Sequence, residues 1–192
     1  MKLEAAILEN EIARLEPLKE RHREALRPVA AEEDLWAFAI IRGDGAHFDP
    51  WFDQMLAAHE RGEQISHAVI RKSDDTPVGH SAFLSIFPEH KRLEIGWTWY
   101  GQAARGTKIN PAAKCLLMAR AFEQGARRVE LKTHGLNQRS QNAMLKMGAT
   151  REGTLRQHTK TWRGDWRDTV YFSVLEAEWP RIKAGLEARL SL

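Results

Sequence analysis

The stretch Leu93–Gly125 constrains this chain most. It reads LEIGWTWY, then GQAARGTKIN, then PAAKCLLMARAFEQG. Leu93, Ile95, Trp97 and Trp99 alternate with Glu94, Gly96 and Thr98, the two-residue period of a strand. The four large apolar residues are expected to share the buried face, and Glu94, Gly96 and Thr98 the other. Asn110 suits an N-cap, and Pro111 suits the first helical position, where a missing N–H is no loss. Cys115, Ala119 and Phe122 recur at helical spacing, and Gly125 suits the residue just past the helix end. The helix therefore starts at a loop carrying Arg105, Gly106 and Lys108. Free backbone N–H groups, the positive end of the helix dipole and cationic side chains converge there. That is a place for an anion, most simply a phosphate. A lone glycine loop also describes an ordinary strand–helix connection with solvated charges.

The rest of the chain narrows the class. Its apolar runs are too short to span a bilayer, so no membrane association is expected. The start, MKLEAAILENE, places acids inside its apolar stretch and lacks a small-residue cleavage pattern, so a cytoplasmic protein is expected. A net charge of +3, with basic residues spread along the chain, permits an anionic ligand without pointing to nucleic acid. Cys115 is the only cysteine, which excludes an internal disulfide and a cysteine metal cluster. It reads as a core thiol. No two of the eight histidines form a metal-binding pair with a nearby carboxylate, so no metal is expected.

In chain order, residues 5–18 read as one or two short strands and 19–30 as a helix ending near Pro28. Residues 32–41 read as a short helix or strand, 42–50 as a loop and 50–61 as an amphipathic helix. Three strands then form an antiparallel meander over 65–72, 78–87 and 91–100. After the central helix come a strand at 127–133, a helix from about Arg139 to Met147, a hairpin over 151–179 and a charged terminal helix. Arg163-Gly164-Asp165 is the hairpin turn. This order predicts one α/β (α+β) domain over 1–192, with a mixed, mostly antiparallel sheet. The unit from 91 to 133 joins two parallel strands, and a ligand belongs at their carboxyl ends.

LEIGWTWY, ARGTKIN, VELKT and NQRSQNAMLKMGA followed by REGTLRQH together resemble the GNAT-superfamily N-acetyltransferases. The nearer likeness is to the branch acting on ribosomal-protein N-termini. The resemblance covers roughly residues 11–179. It implies a GNAT-like sheet splayed at its centre and an acetyl-CoA site. In that site the backbone around Trp97, Thr98 and Trp99 pairs with the pantetheine arm. The loop N–H groups of Arg105, Gly106, Thr107, Lys108, Ile109 and Asn110 hold the pyrophosphate, and Asn137 contacts the arm. It also leaves room for a homodimer. Two positions depart from the family pattern. Lys108 stands where the phosphate loop usually has Gly or Ala. Met144 stands where many relatives carry a tyrosine acid.

Acetyl transfer to an amine needs a free lone pair, a positioned electrophile and stabilisation of developing charge. Glu94 is the candidate base, directly or through water, and Ser140 the candidate for assisting the leaving thiolate. Each has a plain alternative: a structural hydrogen bond for Glu94 and a helix-start bond for Ser140. His134 and His158 are lesser candidates for proton transfer. A peptide α-amine, with a pKa near ~7.8, is roughly a quarter neutral at pH 7.4, against about 0.1% of a lysine amine. The expected acceptor is a protein or peptide N-terminal α-amine. The alternatives are a small-molecule amine, or a CoA-binding module without catalysis. Trp36, Phe48, Trp51, Trp162 and Trp166 can line the acceptor cleft or pack the core. An acidic pocket would indicate a polyamine.

Overall fold

A computed structural model describes residues 1–191. Two short strands, β1 (Leu8–Glu9) and β2 (Ala13–Pro17), precede helix α1 (Arg23–Ala30). Pro28 lies inside α1 instead of ending it. Pro28 and Glu24, whose carbonyl loses its donor, are both exposed, so that carbonyl is not sealed from solvent. Residues 32–41 form neither a regular helix nor a strand. A single 3-10 turn, Glu33–Trp36, is followed by irregular backbone. Helix α2 (Phe48–Glu60) leads into the meander β3 (Ile65–Arg71), β4 (Thr76–Phe87) and β5 (Arg92–Tyr100). Helix α3 (Ile109–Glu123), β6 (Arg128–His134) and α4 (Gln138–Met147) follow, then the hairpin β7 (Thr150–Lys160) and β8 (Trp166–Leu175), and α5 (Trp179–Ser191).

The strands form one sheet in the order β1-β2-β3-β4-β5-β6-β8-β7. Only β5 and β6 run parallel. Neighbouring residues on β3 show how the faces are covered. Val69 packs into a core with α3 and α5, and Ala68 packs into a second core with α1 and α2. No helix among the described residues is long and apolar enough to cross a membrane. Burial raises the Cys115 thiol pKa above its ordinary value, which keeps it protonated.

Two departures from regular geometry shape the centre. First, β5 pairs with β6 only at Arg92, Leu93 and Glu94. Beyond Glu94 the two strands separate, leaving their facing backbone edges without a ladder. Second, Trp97 adopts a φ of +49° in a bulge against β4, where pairing skips from Gly96 opposite Ala82 to Trp99 opposite His80. The extra residue inverts the alternation. Leu93 and Ile95 face the α3 side, but beyond the bulge Thr98 and Tyr100 do, while Trp97 and Trp99 join the α1/α2 core. The four apolar residues thus do not share a face, and Thr98 does not lie with Glu94. An alternating sequence cannot reveal the extra residue.

Candidate active site

The separation of β5 from β6 opens a cleft of about 680 Å³, within the usual range for small-molecule sites. Glu94, Trp97, Thr98, Trp99, Arg105, Gly106, Thr107, Asn110, Asn137 and Ser140 all line it. Lys108 and Ile109 do not line it; they line a smaller pocket with Glu11, Ile12 and Arg71. The Lys108 ammonium turns away to the carbonyl of Leu190 at 3.0 Å, so its side chain does not fill the loop. Ile109 is a core residue, and its N–H donates to the Thr107 hydroxyl at 3.3 Å.

That Thr107 contact moves the helix start. Helix α3 begins at Ile109 with Lys108 as its N-cap, so Asn110 is not the cap and Pro111 is the third helical residue. Proline is still tolerated there, because first-turn N–H groups have no partner within the helix. In the loop before it, Gly106 has a φ of +74°. A Cβ at Gly106 would meet nothing, so the backbone angle, not crowding, calls for glycine. Among the described residues, the N–H groups of Gly106, Thr107 and Lys108 have no acceptor. Arg105 is different. Its N–H closes a turn to Gln102, and its guanidinium is held by Asp34 at 2.5 Å, Glu32 at 3.0 Å and the Tyr100 carbonyl at 2.9 Å. The loop thus offers a run of free N–H groups at a helix N-terminus, a fit for phosphate oxygens.

The bulge is held from beneath. His80 is sealed in the core with Nδ1 2.8 Å from the Trp97 carbonyl. A carbonyl only accepts, so Nδ1 carries the proton. Burial lowers the His80 pKa to about 4, which keeps the ring neutral. The opposite wall is α4. Asn137 caps it, its Oδ1 accepting from the Ser140 N–H at 3.1 Å. Among the described residues, the Asn137 amide nitrogen and the Ser140 hydroxyl have no hydrogen-bond partner, and both residues line the cleft.

Glu94 lies where the strands part. Its Oε2 accepts from Lys132 Nζ at 2.7 Å. Burial tends to lower the Lys132 pKa, but the Glu94 charge and hydrogen bond outweigh it and raise the value. Nearby, His134 packs against Phe38 and accepts from the Leu136 N–H at 3.0 Å, while His158 pairs with Thr169 at 3.2 Å. Among the proposed cleft aromatics, Trp36 and Trp51 line it from the second core, Phe48 is core and Trp166 is exposed. Trp162 braces the irregular 36–39 segment, its Nε1 donating to the Trp36 carbonyl at 2.7 Å.

Sequence reasoning missed Lys114. Its ammonium donates to Thr98 Oγ1 at 2.7 Å, and Thr98 is 2.7 Å from Ser81 Oγ. Burial lowers the Lys114 pKa to about 7, only partly offset by Glu94. A signal was present. From Ile109 to Ala119 the helix carries no other charge, and a helix apolar all round buries whatever it carries.

A sheet opened at a parallel pair, with free N–H groups at the following helix, makes a cleft that suits an extended, phosphate-bearing ligand. The acetyltransferase (GNAT) domain model matches residues 13–150, and the chain belongs to the GNAT acetyltransferase family. It is an acetyl-CoA-dependent N-acetyltransferase. No curated protein matches the sequence. Among solved structures, it is similar to a GCN5-related N-acetyltransferase from Brucella melitensis, at 31% identity and a TM-score of 0.91, covering 98% of this chain and 86% of that one. RimJ from Mycobacterium smegmatis, solved with CoA-disulfide, shares the fold at 19% identity and a TM-score of 0.80, over 96% and 93% of the chains. So does the ribosomal-protein-S5-alanine acetyltransferase from Vibrio fischeri, at 17% identity and a TM-score of 0.72, over 91% and 98%.

Proposed function

We propose that this enzyme acetylates the N-terminal α-amine of a protein or peptide. One observation carries the reading. Glu94 is the only carboxylate lining the cleft among the described residues, and Lys132 already holds it. With Oε2 taken by an ammonium, Glu94 has one oxygen left for an acceptor amine, and a cleft with one neutralised acid does not attract a polyamine. The acceptor that suits it is an amine already part neutral at physiological pH, which is an α-amine. RimJ and the S5-alanine acetyltransferase support this, at low identity.

The groups present fit the acetyl donor. When bound, acetyl-CoA supplies an acetyl thioester. The free N–H groups of Gly106, Thr107 and Lys108, with the first turn of α3 at Asn110, receive its phosphates. The unpaired edge of β5 around Trp97, Thr98 and Trp99 aligns the arm, and the Asn137 amide donates to it from the other wall. N–H groups on that edge polarise an acyl oxygen placed against them. The Arg105 side chain positions the loop, and Ile109 anchors it. Glu94 accepts the proton that the amine loses, directly or through water, and the Ser140 hydroxyl is placed to donate towards a leaving thiolate.

The test is thiol release with three acceptors: a peptide with a free N-terminus, the same peptide blocked there but carrying lysine, and spermidine. Turnover is expected with the first alone. Equal or faster turnover with lysine or spermidine overturns the reading.

A further inference from the structure

The acceptor half of the cleft contains a cation with no anion. Arg167, on β8, is only 8% exposed. Arginine is almost never that buried unless paired. Yet Arg167 makes no salt bridge among the described residues. Its Nε donates to Thr169 Oγ1 at 3.1 Å and its Nη1 reaches the Phe38 carbonyl at 3.4 Å. Among the described residues Nη2 has no hydrogen-bond partner, and Arg167 lines the cleft. Burial disfavours its charge, and only the more distant Glu94 and Tyr171 offset that.

Neighbouring charges are already matched. Glu94 takes Lys132, and Glu130 takes Arg92 and Arg128. Of the cleft-lining cations without a salt bridge among the described residues, Lys114 is held by Thr98, and Arg139, Lys146 and Arg189 are not buried, so Arg167 is the buried guanidinium left without an acid. Its free edge is a donor fork of the kind that suits a carboxylate.

We infer that Arg167 is the docking group for a carboxylate carried by the amine acceptor, in the cleft that Glu94 also lines. The inference rests on the reading of this cleft as the acceptor site. Two sources supply such a carboxylate: an acidic side chain near a peptide's N-terminus, or the carboxylate of a free amino acid.

The experiment measures kcat and KM by thiol release for matched acceptor pairs. One pair is a peptide with aspartate or asparagine at its second position. The other is a free amino acid or its amide. The enzymes are the natural protein, Arg167→Gln and Arg167→Lys, with acetyl-CoA binding as a check of the fold. The natural enzyme is expected to prefer the acid of a pair by roughly 10- to 100-fold, the range for a charge-assisted hydrogen bond. Arg167→Gln is expected to erase that preference through KM for the acid alone, and Arg167→Lys to restore part of it. Preference in the peptide pair or in the amino-acid pair identifies the source. If only free amino acids turn over, the α-amine protein reading fails while the Arg167 inference stands. Equal rates for acid and amide overturn the inference and leave the α-amine reading intact. An equal loss for acid and amide in Arg167→Gln, unrelieved by lysine, makes Arg167 a brace for the Phe38 segment and overturns it. No turnover with any acceptor overturns both.

Discussion

Replacing Lys114 with methionine is expected to stabilise the protein, and by more at pH 6 than at pH 9. Burial pushes the Lys114 ammonium from an ordinary 10.5 down to about 7. The unfolded chain keeps that proton up to the higher value, whereas the folded chain releases it near the lower one. Between them the unfolded state binds more protons, so this group's penalty shrinks as pH rises. Below about pH 7 both states are charged and the penalty is full. The gap between the two values is worth roughly 5 kcal/mol. At pH 9 about 2 kcal/mol of it remains, so the advantage of Lys114→Met should widen by about 2.5 kcal/mol on going to pH 6. The lost bond to Thr98 subtracts about 1 kcal/mol at either pH and leaves that difference unchanged. Urea unfolding of both proteins at the two pH values measures it, provided the slopes agree. An advantage that is constant, or that narrows towards pH 6, refutes the reasoning.

Glu94→Gln is expected to slow a peptide with a free N-terminus by less than about tenfold, short of the roughly 10²–10⁴-fold contribution of a general base; a hundred-fold loss in kcat refutes the α-amine argument. Asn137→Ala removes the α4 cap, so thermal unfolding should show a loss of about 1 kcal/mol. Calorimetry should also find weaker acetyl-CoA binding than that loss alone implies. Gly106→Ala forces a side chain into a left-handed backbone angle with open space around it. It should cost about 1–2 kcal/mol or tilt the loop. Either way acetyl-CoA affinity falls, as a titration would show.

The sequence reveals the fold through local signals. The β-rich run of β5, Gly125 after α3, and Asn137 and Gly148 bounding α4 are short-range patterns, and each marks its element in the structure. What it hides depends on single backbone angles or distant partners. The Trp97 bulge reverses the face of every later residue in β5, and nothing in LEIGWTWY marks it. The Glu94–Lys132 pair needs two strands brought parallel from 38 residues apart. Arg105 reads as a phosphate ligand from its loop, but acids at 32 and 34 engage its side chain. Arg167 stands out only once the described lining of its cleft is known to hold no acid but Glu94, already paired with Lys132.

The central claim is that the acetyl donor occupies the opening between β5 and β6, with its phosphates on the loop before α3. Hydrogen exchange with and without saturating acetyl-CoA tests it directly. Slowed exchange is expected at residues 96–100 and 106–110, with little change at β3. At a hundred-fold excess over the dissociation constant, binding should also stabilise the fold by about 2.7 kcal/mol. Stabilisation with unchanged exchange in both segments, or protection confined elsewhere, would contradict it.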